Sequence, residues 1–263
     1  AADNYLRNSK SYIIVVGDPS VRPTLEKFGK IFDFNLDLEP ISGADAKLEK
    51  ISLSAENLIK KHREALGGDA LDKISSIRAI AKSQMNISGQ MLDGDIVQET
   101  KLPAKLFISM DMKMFKQDIW FDGSNGGVVS NGSSGDLSAE QLEKIKFEAN
   151  LFNTTKFIEL GYKVEVKGKL ANEIIVLVTS PSGKESTYYF DSGSFLVNKY
   201  ESLEEGPDGP TPLTVKFANW LTIEGLKLPG RIENNSAMFI LTNEYTYELN
   251  AAIDDSRFAP TGK

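Results

Sequence analysis

Residues 106–115 read LFISMDMKMF. Leu106, Ile108, Met110, Met112 and Met114 fall on one face of an extended chain, and Phe107, Ser109, Asp111 and Lys113 on the other. A repeat of two is the signature of a strand with one covered face. Three of the chain's six methionines sit in this one segment. Methionine is flexible and fills irregular apolar space. The stripe therefore has two readings, a sheet face packed on a helix or the adaptable wall of a lipid or peptide cavity.

The same repeat recurs on both sides. Strands are expected at 77–88, 93–102, 105–114, 117–121, 126–130, 162–168, 173–180, 185–191, 195–203, 213–221 and 231–248, the last with room for two. Turn dipeptides separate them: Asp93-Gly94, Asp122-Gly123, Ser182-Gly183, Ser192-Gly193 and Glu224-Gly225. A helix and a short second one, ALDKI capped by Asp69, precede these strands, and one helix interrupts them. Ser54 caps the first, which carries Leu58, Ile59, His62 and Leu66 and stops at Gly67-Gly68. Ser138 with Gln141 three residues on opens the interrupting one, expected over 138–152. The fold class is α+β: a large antiparallel open half-barrel of about eleven strands covered by helices.

Upstream the pattern changes. Ile13 to Val16 run into Gly17-Asp18-Pro19, and VRPTLEKFGKI (21–31) has helical spacing with Leu25 and Phe28 inward. IFDFNL (31–36) alternates as a strand, and 41–53 reads as a linker. A strand entering a glycine turn raises a nucleotide site, but GDPSVRP lacks both the three-glycine fingerprint and Gly-Lys-Ser/Thr. The opening AADNYLRNSK has no Met and reads as a helix end, as expected of a piece of a longer protein.

Composition narrows the function. The 263 residues carry a net charge of −7 and no Lys/Arg run, which disfavours nucleic acid and anionic surfaces. With no cysteine, thiolate metal sites and cysteine nucleophiles are excluded. No apolar run is long enough to span a membrane. His62 is the single histidine, too few for a typical catalytic zinc site, and reads as a helix residue near a polar rim. Glu204-Glu205 and Asp254-Asp255 are adjacent pairs whose side chains diverge on a strand, a poor general acid/base arrangement.

Two resemblances cover most of the chain. YIIVVGDPSVRPTLEKFGKIFDF (12–34) resembles the end of an insulinase/pitrilysin-type zinc peptidase lobe. Residues 54–258 resemble the outer-membrane lipoprotein-sorting carriers (LolA/LolB-like). The matching pieces are AENLIKKHREALGGDALDKISSIRA (55–79), LPAKLFISMDM (102–112), IWFDGSNGG (119–127) and VTSPSGKESTYYFDSGSFLVNKYES (178–202). FANWLTIEGLKLPGRI (217–232) and AIDDSRF (252–258) complete the set.

The resemblances imply a peptidase-lobe remnant at 1–40, a linker at 41–53 and a carrier-like half-barrel at 54–263. They imply a location in the bacterial envelope, in the periplasm, and as partners the catalytic lobes of a parent peptidase together with a lipid or lipoprotein. The peptidase motif H-x-x-E-H is absent, so no catalytic residue carries over, no cofactor is expected in this chain, and zinc would belong to a missing lobe. The expected role is non-catalytic binding of an apolar ligand. Met110, Met112 and Met114 are the expected cavity wall, with Met85, Ile87 and Met238 beside them. The alternative is a filled barrel that only presents substrate to the peptidase.

Overall fold

The computed structural model describes residues 15, 21–28, 31, 48–206 and 209–260. The chain divides into two compact units, residues 1–47 and 48–263. In the first, a single helical turn, α1 (Arg22–Leu25), passes into a 3-10 turn over Glu26–Phe28. The α-helical spacing thus ends at Leu25, and Phe28, expected inward, is 65% exposed. The strands expected at 12–16 and 31–36 lie outside the described residues apart from Val15 and Ile31.

In the second unit, thirteen strands among the described residues form one antiparallel sheet. The first six are β1 (Ser76–Ile87), β2 (Gln90–Lys101), β3 (Lys105–Asp111), β4 (Lys116–Phe121), β5 (Gly126–Ser130) and β6 (Ser133–Asp136). The other seven are β7 (Lys163–Leu170), β8 (Glu173–Thr179), β9 (Glu185–Asp191), β10 (Val197–Gly206), β11 (Gly209–Ile223), β12 (Leu226–Ser236) and β13 (Ile240–Leu249). The order is β6-β5-β4-β3-β2-β1-β13-β12-β11-β10-β9-β8-β7. Two meanders therefore meet where β1 pairs with β13, and the sheet remains open between β6 and β7.

That order explains the helix. The chain must travel from the β6 edge to the β7 edge, at opposite ends of the sheet. It does so through α3 (Ala139–Glu148), which packs Ile145 and the following Ala149 against Leu106 and Phe121. Ser138 and Gln141 form the expected capping box, with Gln141 N donating to Ser138 Oγ (3.1 Å) and Ser138 N to Gln141 Oε1 (2.8 Å). At the other flank α2 (Ala55–Leu66), capped by Ser54, buries Leu58 against Ile174, Val176 and Phe190. Ile51 and Leu53 pack on the same cluster, and Glu49 bridges to Lys169 of β7.

The turns correct two expectations. Asp93-Gly94 is not a turn: it lies inside β2, with Gly94 opposite Ser83 of β1. Gly94 serves a different need, because a Cβ there would meet the Asp111 carbonyl oxygen and the Met112 sulfur. The β1–β2 reversal uses Ser88-Gly89, both at positive φ, as a two-residue hairpin turn requires. Asn131-Gly132 makes the same turn and adds β6, an unexpected strand of sequence SSGD with no apolar residue. The segment 231–248 is two strands, parted by a turn in which Ser236 Oγ accepts from the Met238 and Phe239 amides (3.3 and 3.2 Å).

Candidate ligand cavity

Between the helices and the inner face of the sheet lies a cavity of about 460 Å³. Strand alternation decides which side chains reach it. Ile77 and Ala79 of β1, Gln98 and Thr100 of β2, and Tyr245 and Tyr247 of β13 all point inward. On β11 the rule is broken usefully. Val215 and Phe217 line the cavity in step, then Asn219 takes a positive φ and drops out of the ladder between Ala218–Arg231 and Trp220–Pro229. The register runs on unshifted, so the positive φ at Asn219, not an inserted residue, breaks the alternation, and Trp220 also faces in.

The result is an aromatic wall that crosses four strands. Tyr188 and Tyr200, opposite each other on β9 and β10, stack with centroids 5.0 Å apart. Phe217 follows at 6.2 Å from Tyr200, and Trp220 at 6.5 Å from Phe217. Tyr245 and Tyr247 stack at 5.7 Å, and the Tyr247 hydroxyl donates to the Pro229 carbonyl (2.7 Å). Aromatic rings bring large apolar area with few rotamers to immobilise.

Polar groups collect on the α3 side. Lys144 Nζ donates to Glu204 Oε1 at 2.6 Å, and burial pushes the nearby Glu148 carboxyl up against the pull of Lys144. Burial, reinforced by Glu148, also raises the Tyr245 hydroxyl to about 12. Tyr162 is held at about 12 by burial together with Glu143 and Glu148.

His62 lines the cavity wall but lies at no rim: it is fully buried. Its Nδ1 lies 2.8 Å from the Phe195 carbonyl, which only accepts, so Nδ1 carries the proton. Nε2 then accepts from Thr154 Oγ1 at 2.9 Å. Burial lowers its pKa to about 4, so the ring is neutral and joins α2 to the β9–β10 turn and the segment after α3. Among the described residues no three acidic or histidine side chains cluster as metal ligands, and no helix is long and apolar enough to cross a membrane.

The six residues read from the methionine pattern do not line this cavity. Met112 is 1% exposed, in a cluster with Ala81, Ile96 and Leu241, against which Met85 and Met110 pack. Strand β3 ends at Asp111, so Met114 falls in the hairpin turn and is 76% exposed; Ile87 and Met238 are exposed at neighbouring hairpins. The methionine cluster adjoins the cavity through Tyr245, which touches both. Within it Ser83 Oγ and Asn243 Oδ1 are buried without a hydrogen-bond partner among the described residues. The aromatic wall carried a partial signal in sequence, since Tyr188, Tyr200, Phe217 and Tyr245 each sit in an expected strand. Their convergence is set by strand order alone.

The sequence matches no family model and no curated protein. Solved structures do match. A DUF1329 family protein from Desulfovibrio piger is similar over 80% of this chain and 99% of its own, with TM-score 0.58 at 12% identity. A LolA superfamily protein from Nitrosomonas europaea matches over 79% and 98%, with TM-score 0.55 at 14% identity. A Vibrio parahaemolyticus domain named for outer-membrane lipoprotein sorting matches over 78% and 97%, with TM-score 0.51 at 10% identity. The fold is therefore the LolA-like open half-barrel, in an α+β chain. No family model and no curated protein matches residues 1–40, so nothing supports the peptidase-lobe resemblance there.

Proposed function

We propose that this chain is a non-catalytic, carrier-type binding domain that takes an apolar ligand, a lipid acyl chain or the acylated end of a lipoprotein, into the aromatic cavity. The observation that carries the reading is the 460 Å³ cavity walled by stacked rings inside a LolA-like half-barrel. The volume is in the range of small-molecule sites. Burying each methylene contributes about 0.8 kcal/mol, so a chain of about a dozen carbons supplies gross binding energy well above the cost of ordering it. The methionine-rich end beyond Tyr245 is where a longer chain would continue, by displacing Met112. The structural neighbours support a place in the bacterial envelope. A partnership with peptidase lobes rests on the sequence resemblance of residues 12–34 alone.

Trp220 offers the test, because it lines the cavity while Trp120, the chain's second tryptophan, packs with Phe107 away from it. In Trp120→Phe protein, a fatty acid brominated along its chain should quench the remaining fluorescence saturably, and native mass spectrometry should show one acyl species bound. Quenching no greater than that of a free indole, with a clean apo mass, would replace the carrier reading with that of a filled barrel.

A further inference from the structure

The charged groups around the cavity do not balance. Glu140 is paired with Lys184, and Glu204 with Lys144 at 2.6 Å. Glu143 accepts from the Ser182 amide (3.0 Å) and the Ser182 hydroxyl (2.5 Å). Lys227 donates to Thr222 (2.7 Å), and Glu185 is exposed at the start of β9. The carboxylate left over is Glu148, which lines the cavity and makes no hydrogen bond with a described residue. Lys144, whose charge pulls on it, is already engaged by Glu204.

Glu148 is also badly placed for a negative charge. It is the last residue of α3, where the helix carbonyls already concentrate negative potential. Tyr162, Tyr188, Tyr200 and Tyr245, from four separate parts of the chain, line the same cavity, and the charge of Glu148 helps to raise their hydroxyls. A carboxylate without a hydrogen bond among the described residues, at a helix C-terminus in a cavity lined by aromatic rings, is an arrangement that a cation completes. Ring faces and the carboxylate both attract an ammonium group, most strongly when it is removed from water. An anionic head beside Glu148 would meet Glu204 and the helix end as well, and Lys144 there is already paired with Glu204.

We infer that the cavity selects apolar ligands with a cationic head, a primary amine or quaternary ammonium, which sits between Glu148 and the tyrosine rings. This rests on the carrier reading and names its ligand class.

Dodecyltrimethylammonium, dodecyl sulfate and dodecanol, each below its aggregation threshold, would compete for a bound fluorescent acyl probe. At about pH 8 the cation should displace the probe at about tenfold lower concentration than the anion, since a cation–ring contact and a carboxylate together exceed one factor of ten. In Glu148→Gln that ratio should fall to within about twofold. The unmodified protein supplies a second readout, free of any folding defect in the variant. Its preference should shrink as pH falls through the pKa of Glu148, which burial and the Glu204 charge raise against the pull of Lys144. Displacement by anion and alcohol with no advantage for the cation would overturn the inference and leave the carrier reading standing, and so would a preference that survives Glu148→Gln. Displacement by none of the three would remove both.

Discussion

Arg257 Nε lies 2.8 Å from a carboxylate oxygen of Glu99, and this contact fastens the last turn of the chain to the outer face of the sheet. Glu99 is 3% exposed, and its other oxygen accepts from Arg78 Nε, also at 2.8 Å. Burial would raise the carboxyl, but the two guanidiniums outweigh it and hold its pKa below the ordinary value. Arg257 also stacks 3.9 Å above the Phe107 ring, in the cluster that holds Phe258.

The first prediction uses that asymmetry. Arg78→Ala with Arg257→Ala should cost about 3–5 kcal/mol in urea unfolding, because a buried charge is left unpaired. Adding Glu99→Leu should recover most of the loss, since the two arginines reach solvent and the carboxylate does not. A triple variant as unstable as the double would refute the account.

The second concerns acid. His62 is depressed from 6.5 to about 4 in the fold, so the native state binds its proton less readily than the unfolded chain does. Its contribution is full above 6.5 and drains away as pH falls from there to about 4, amounting to about 3 kcal/mol. Glu99, also depressed, contributes in the same direction below its ordinary 4.5. Melting temperature should therefore fall in two stages, and His62→Gln should remove the upper one. Parallel curves for the two proteins would exclude His62 as its source.

The third tests the seat of Met112. Gly94→Ala should destabilise by about 1–3 kcal/mol, as overpacking does. Combined with Met112→Ala, the sum should fall short of additivity, because the sulfur that the new methyl meets has gone. Strict additivity would mean that the strain comes from the backbone of Asp111 and Met112 alone.

The fourth is a stabilising change. Ser83→Ala removes a buried hydroxyl without a hydrogen-bond partner among the described residues and should leave stability unchanged or raise it by up to about 1 kcal/mol. A loss above that size would reveal a partner for Ser83.

The strands were legible because alternation is local: Ile174, Val176 and Val178 announce their face whatever lies around them. The failures were local too. Asp93-Gly94 has turn chemistry, but its glycine answers to the Asp111 carbonyl and the Met112 sulfur at the end of the next strand. Strand β6 lacks apolar residues and is held by backbone pairing with β5. The methionine stripe was read as one continuous face, although the backbone reverses after Asp111. The cavity was the least legible part. Tyr188, Tyr200, Phe217 and Tyr245 come to share a cavity with Glu148 only through the strand order and the crossing of α3, and neither leaves a mark in any short window of sequence.

The junction of β1 and β13 gives the sheet an unusual vulnerability. In most meanders the last strand is an edge, and trimming it leaves the remainder intact. Here the last strand is the seam. The ten residue pairs from Ile77–Leu249 to Asn86–Ile240 are the ladder that joins the two half-sheets. During synthesis each half can zip along its own hairpins, yet both wait for the final segment to arrive between them. A chain that stopped short of Ile240 would lose the middle of the molecule, and with it the wall that Tyr245 and Tyr247 bring to the cavity.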